Sequence, residues 1–251
     1  MYFSKRVAVI IPVYNEEEYI REVLLYVPDF VDKIIIVNDG STDGTISAIA
    51  NIGTYVDNRL VLINHRKNEG VGAAITSGYK ESIRMDCDIS CVIAGDAQMD
   101  PRELESLVKP IVFGSVDYVK GNRFAFSKIW WQATKVRFLA SIILSFFTKM
   151  ASGYWHITDS QCGYTAISNE MLKKIDISKI YKRYGYPNDL LIKLSSIKGR
   201  VKDLPVIPIY HCSAGLNVEF LNAAPVFLLI LLKGCAQQLR ERLFINSLII
   251  K

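Results

Sequence analysis

The chain repeats one hydrophobic pattern: a short aliphatic run, a polar or glycine-rich turn, then a stretch with helical spacing. Residues 7–13 (Val-Ala-Val-Ile-Ile-Pro-Val) are too apolar to have a wet face, which predicts a strand inside a parallel sheet. Residues 33–37, 60–63, 89–93 and 118–120 are further short runs and predict four more strands. Helical patterns lie between them. Asn15 is expected to cap a helix whose first turn holds Glu16, Glu17 and Glu18, where the helix dipole favours acids. The turn Asn38-Asp39-Gly40-Ser41-Thr42-Asp43-Gly44-Thr45 leads into a second helix from Ile46. Asn68-Glu69-Gly70-Val71-Gly72-Ala73-Ala74 starts a third, with small residues that let backbone approach a ligand closely. Strands and helices alternating at this spacing indicate βαβ units. Later, residues 165–168 read as a strand, Tyr186-Pro187-Asn188-Asp189 as the cap of a helix through residue 198, and the proline-bearing residues 201–210 as an edge strand.

Two stretches break the pattern. In residues 123–153, Trp130 and Trp131 sit among Lys128, Lys135 and Arg137, ahead of an apolar run over residues 138–147. Indoles and cations beside an apolar helix suit a membrane interface; a core helix with a snorkelling basic rim is the alternative. The tail, residues 216–251, pairs an apolar run (223–232) with a polar one (237–242) and reads as an amphipathic helix lying on something. A membrane, a partner subunit and a second copy of the chain, giving a homo-oligomer, are all open to it.

Composition narrows the class. The 251 residues fit one large α/β domain with a tail, half of them are hydrophobic, and the formal charge is only +5. No Lys/Arg block resembles a nucleic-acid arm, so nucleic acid is not an expected partner. No run reaches the roughly 18 apolar residues a spanning helix needs, and residues 1–6 lack a signal peptide's apolar core. The five cysteines, an odd number with no C-x-x-C pair, are expected as buried thiols. A cytoplasmic protein, peripheral on the cytoplasmic face of a membrane, is the expectation.

Candidate chemistry centres on Ile93-Ala94-Gly95-Asp96-Ala97-Gln98-Met99-Asp100-Pro101, just past a buried strand and before a helix opened by Pro101. In an open α/β sheet, ligands bind outside the carboxyl ends of the strands. Hard divalent cations take oxygen ligands and keep positions for phosphate oxygens, so Asp96 is read as a metal ligand with Gln98 as its neighbour.

Six motifs occur in order: Ile11-Pro12-Val13-Tyr14-Asn15-Glu16, residues 37–45, Asn68-x-Gly70-x-Gly72-Ala73-Ala74, Gly95-Asp96-Ala97-Gln98, Gly121-Asn122-Arg123 and Asp159-x-x-x-Gly163-Tyr164. Together they make the chain resemble the family-2 glycosyltransferases with the GT-A fold, over about residues 5 to 210, and most nearly the dolichyl- or polyprenyl-phosphate sugar transferases. The resemblance implies an α/β, GT-A type (Rossmann-like), mostly parallel sheet flanked by helices, forming a catalytic domain over 1–215 with residues 123–153 as membrane-interface and acceptor segment. It implies a UDP- or GDP-sugar donor held by Pro12, Tyr14, Glu16, Asp39, Gly70 and Asp96, and Mg2+ or Mn2+ at Asp96 and Gln98. The usual D-x-D-x-Q begins here with Ala94, which implies one carboxylate fewer and more coordination from the donor diphosphate. Arg123, Arg137 and Ser141 match residues that hold a lipid-phosphate acceptor. The late basic motif of that branch is replaced by His211-Cys212-Ser213-Ala214-Gly215.

The expected reaction is inverting transfer to a polyprenyl or dolichyl phosphate, with Asp96, Asp159 and Arg123 as the catalytic set. A phosphate acceptor is already ionised and needs no base; a glycan or lipid hydroxyl would need one, Asp159 first and Asp189 second. A non-catalytic nucleotide-sugar-binding protein is the reading of another class.

Overall fold

The computed structural model describes residues 1–125, 135–209 and Gly234, with the side chains of residues 53–57 and 135–141 excepted. Strands β1 (Val7–Val13), β2 (Lys33–Asn38), β3 (Leu60–Asn64), β4 (Ile89–Val92), β5 (Tyr118–Asn122), β6 (Thr165–Ser168) and β7 (Val201–Pro205) form one sheet in the order β3-β2-β1-β4-β6-β5-β7. The helices are α1 (Ile20–Leu25), α2 (Thr45–Val56), α3 (Val71–Arg84), α4 (Leu104–Val112), α5 (Lys135–Ser152), the single turn α6 (Asn169–Leu172) and α7 (Tyr186–Ser196).

β1 shows why its sequence has no polar alternation. Val7, Val9, Ile11 and Val13 feed one apolar layer with Ile20, Ile49 and Leu107 from α1, α2 and α4. Ala8 and Ile10 feed the other, with Ile75, Leu172 and Leu190 from α3, α6 and α7. A central strand covered on both faces is apolar at every position, and each such side chain contributes about 1.5–3 kcal/mol of burial.

The sheet is parallel except at β6, which runs antiparallel to both β4 and β5. The expected strand is there, but its direction departs from a uniform βαβ reading. Its reversal has a positional effect. Residues 159–164 enter β6 at the rim where β1, β2, β4 and β5 exit, so they meet the Asp96 turn there. At the opposite rim carboxylates cap strand starts: Asp32 accepts from Val7 N, Asp88 from Arg6 N and Asp117 from Arg200 N, each at 2.8 Å.

Two helix starts differ from expectation. Asn15 is no cap: it sits at φ +57° and its Oδ1 accepts from Thr42 N at 2.8 Å. α1 begins only at Ile20, so Glu16 to Glu18 precede the helix, and Glu17 instead accepts from Gly44 N at 2.8 Å. The N-cap of α7 is Gly185, without a side-chain cap, while Asp189 accepts from Tyr181 N at 2.9 Å. β7 is the expected edge strand, ending at Pro205. Cys87, Cys91 and Cys162 are buried free thiols, as expected. Of the predicted tail only Gly234 is described; it is helical and buried, so close to Ile192 that an added Cβ would lie 2.6 Å from its Cδ1. Trp130, Trp131 and the rest of the tail lie outside the described residues.

Candidate active site

The rim carries a cleft of about 840 Å³, counting its open mouth. It is lined by Pro12, Tyr14 and Glu16 after β1, Asp39 after β2, Asn68 and Gly70 ahead of α3, Ala94 to Asp96 after β4, and Arg183 and Tyr184 from the segment before α7. Volumes of this order hold small-molecule ligands. All six donor-binding residues expected from sequence line this one space. Tyr14 is exposed and presents its ring at the mouth.

Asp39 is buried, and its carboxylate is occupied by the loop that follows β3. It accepts from Glu69 N at 3.0 Å and Gly70 N at 2.7 Å, with His65 Nδ1 at 2.7 Å. His65 Nε2 in turn meets Ser77 Oγ at 2.9 Å. Asp39 therefore fixes the loop wall of the cleft. The glycines answer to protein contacts as well: Gly70 has φ +102°, and a Cβ on Gly72 would fall 2.1 Å from the Tyr181 carbonyl oxygen. Glycine here lets the segment 181–183 lie against α3, and that approach brings Arg183 and Tyr184 to the cleft.

Asp96 forms an Asx turn, its Oδ1 accepting from Gln98 N at 3.0 Å across Ala97 at φ +55°. The turn aims Asp96 into the cleft beside Glu16. Burial, then the charges of Asp96 and Asp43, push the Glu16 carboxyl up to about 7. Two converging carboxylates that repel each other fit a divalent cation, which relieves that repulsion. Among the described residues no group of three or more His, Cys, Asp or Glu side chains is arranged to hold a metal. Gln98 does not line this cleft; it lines a second, smaller pocket with Met99, Arg123, Cys162, Tyr164, Val206, Ile207 and Pro208.

Arg123, which lines the second pocket, pairs with the buried Asp159. Arg123 Nε donates to Asp159 Oδ2 at 2.7 Å and Nη2 to Oδ1 at 3.0 Å, with the Arg123 backbone N–H also on Oδ2 at 3.2 Å. Gln161 N and Cys162 N donate to Oδ1 at 3.2 Å each. Asp159 is 0% exposed. Burial pushes its carboxyl up, but the Arg123 charge and these hydrogen bonds outweigh that and hold it below the usual range. Beneath the pair, Lys120 is completely buried, its ammonium donating to the Cys162 carbonyl, and burial pushes its pKa down. Asp203 stands nearby, its carboxyl pushed up by burial. The Asp189 carboxylate is taken up by Tyr181 N at 2.9 Å and by Lys193 Nζ at 2.7 Å.

Arg137 and Ser141 belong to α5, but their side chains are outside the described residues. Further along α5, Ser145 and Thr148 are buried while Ile142, Ile143, Phe146, Phe147 and Met150 are exposed, with Trp155 exposed just beyond. Among the described residues no helix is long and apolar enough to cross a membrane.

The sequence reading missed His65, Lys120, Arg183 and Tyr184. His65 directly follows β3 at the ligand-bearing rim, a position that could have flagged it. Lys120, inside an apolar strand, is a conflict that only burial beside carboxylates resolves. Arg183 and Tyr184 carry no local signal, since they arrive through the contact with Gly70 and Gly72.

A sheet with one reversed strand, a ligand cleft at its rim and an acidic turn after β4 define a GT-A type fold. Solved structures agree: glucosyl-3-phosphoglycerate synthase from Mycobacterium tuberculosis, in complex with Mn2+ and UDP, superposes with TM-score 0.73 at 19% identity, covering 93% of this chain and 81% of that one. Mannosyl-3-phosphoglycerate synthase from Rubrobacter xylanophilus gives 0.69 at 15%, covering 95% and 75%. Residues 8–176 match glycosyl transferase family 2, and the chain belongs to that family. A relative from Methanococcus voltae, UDP-N-acetylglucosamine–dolichyl-phosphate N-acetylglucosaminyltransferase, is 31% identical over 86% of this chain and 91% of its own length. Polyprenol monophosphomannose synthase from Mycolicibacterium smegmatis is 29% identical over 81% and 77%.

Proposed function

We propose that the protein moves a sugar from a nucleotide-sugar donor, UDP- or GDP-linked, to a polyprenyl or dolichyl phosphate at the cytoplasmic face of a membrane, inverting the anomeric centre. The observation that carries this reading is the state of Asp159. A general base must reach the proton it abstracts. Asp159 is wholly buried, saturated by hydrogen bonds and held acidic by Arg123, and Asp189 is bound elsewhere. Neither of these two candidate bases is poised for a hydroxyl acceptor, whereas an ionised phosphate needs none. The named acceptors of the relatives from M. voltae and M. smegmatis point the same way.

In this mechanism Tyr14, Asn68, Arg183 and Tyr184 surround the donor in the cleft. A phosphate oxygen of the acceptor attacks the anomeric carbon; the new C–O bond forms as the bond to the nucleoside diphosphate breaks, and no proton is lost. Arg123, oriented by Asp159, binds the acceptor phosphate with a guanidinium geometry suited to it. Mg2+ or Mn2+ would be held by Asp96, with Glu16 beside it, and when bound would neutralise charge on the departing diphosphate. The exposed apolar face of α5 and Trp155 lie against the lipid surface.

The test is transfer from labelled UDP- and GDP-sugars to undecaprenyl or dolichyl phosphate. A sugar-phosphate lipid should form, R123A should abolish it, and D159N should retain part of it without loss of an acidic limb in the pH–rate profile. Product on a hydroxyl acceptor alone, or donor binding with neither transfer nor hydrolysis, would overturn the reading.

A further inference from the structure

α5 carries its polarity in reverse for a helix on a domain surface. Ser145, Thr148 and Ser152 face inward at 4%, 1% and 2% exposure, while Ile142, Ile143, Phe146, Phe147 and Met150 are exposed. The inward hydroxyls join a directed hydrogen-bond chain. Gln161 Nε2 donates to Asn188 Oδ1 at 2.9 Å, Asn188 Nδ2 donates to Thr148 Oγ1, and Thr148 Oγ1 donates to the Leu144 carbonyl at 2.7 Å. A parallel link runs from Ser160 N to Ser145 Oγ at 3.1 Å. The Gln161 end stands next to Asp159, because Gln161 N donates to Asp159 Oδ1. Asn188, in α7 and 0% exposed, ties all three elements together.

We infer that Asn188 and Thr148 are positioning residues that make the Arg123–Asp159 geometry follow the placement of α5, so that the pair is held in its working arrangement when a lipid surface covers the outer face of α5. The inference rests on the acceptor reading above. Apolar side chains of the same size would fill the same space, yet apolar contacts tolerate sliding. Hydrogen bonds are directional, and breaking one buried here leaves its partners unsatisfied. α5 and the 159–162 loop therefore move as one body. The occupant of the outer face is lipid by chemistry: Ile142, Ile143, Phe146 and Phe147 make a continuous apolar strip, and Trp155 packs edge-on against Phe146 at 6.5 Å, with its indole at the end of the strip.

The test compares wild type, T148V, T148S and N188L by hydrogen exchange at residues 159–163, with and without phosphatidylcholine–phosphatidylglycerol vesicles. Vesicles should slow exchange there at least fivefold in wild type and T148S, and leave T148V and N188L unchanged. In assays, KM for vesicle-borne undecaprenyl phosphate should rise about tenfold in T148V at constant donor KM, and T148S should restore it. If N188L does not fold, the T148V and T148S pair decides alone. Exchange that ignores vesicles in wild type, as when the tail or a second copy covers α5, or that still responds in T148V, overturns the inference. A vesicle response in wild type without sugar-lipid product defeats the acceptor reading and leaves the coupling standing.

Discussion

Arg123 and Asp159 meet edge to edge, Nε on Oδ2 at 2.7 Å and Nη2 on Oδ1 at 3.0 Å, with the carboxylate sealed from solvent. The pairing turns a surface-type arginine into a fixed element of the rim. It also couples folding to pH. Because the folded Asp159 carboxyl lies below its ordinary 3.8, its contribution to stability is complete above that value and is lost as pH falls through the folded pKa. D159N should therefore cost about 3 kcal/mol near neutrality, and the gap to wild type should close in acid. Urea unfolding from pH 7 down to pH 3 checks this; a gap that widens in acid contradicts it.

Glu16 lies beside Asp96 in the cleft, and burial, then the charges of Asp96 and Asp43, push it up to about 7. At pH 8 and without metal, E16Q should stabilise the protein by about 1 kcal/mol, a figure discounted for partial solvent screening. The same change should weaken Mn2+ binding several-fold. Denaturation in chelator and a Mn2+ titration read the two signs, and a loss of stability would remove the repulsion argument.

Gly72 has the Tyr181 carbonyl where its side chain would be, 2.1 Å from a Cβ. G72A should destabilise by roughly 2–3 kcal/mol, within the range for overpacking a closed contact. It should also weaken donor binding, because the displaced segment carries Arg183 and Tyr184. Melting and nucleotide titration together test it; donor affinity that survives the displacement would show that the segment does not wall the cleft.

Arg183 reaches the donor cleft from a segment without a motif. R183A should lower affinity for a nucleoside diphosphate about tenfold, or about 1.4 kcal/mol. The loss should shrink as salt is raised, as expected for an exposed cation facing phosphates. Calorimetry at two ionic strengths measures both.

The aliphatic runs made β1 to β5 legible, and the family resemblance named Pro12, Tyr14, Glu16, Asp39, Gly70 and Asp96, which line one cleft. What escaped depends on partners distant in sequence. Asn15 followed by three glutamates looks like a helix start, but its side chain is claimed by Thr42. The short strand pattern of β6 says nothing of direction, which is set by pairing with β4 and β5. Gln98 shares a turn with Asp96, yet it lines the other pocket. Asp159 looked like an available base because burial is invisible in a motif.

The far rim, where Asp32, Asp88 and Asp117 cap strand starts, lies a full strand length from every residue assigned to chemistry. A reporter peptide or affinity handle spliced in at residue 115 should therefore leave sugar transfer intact.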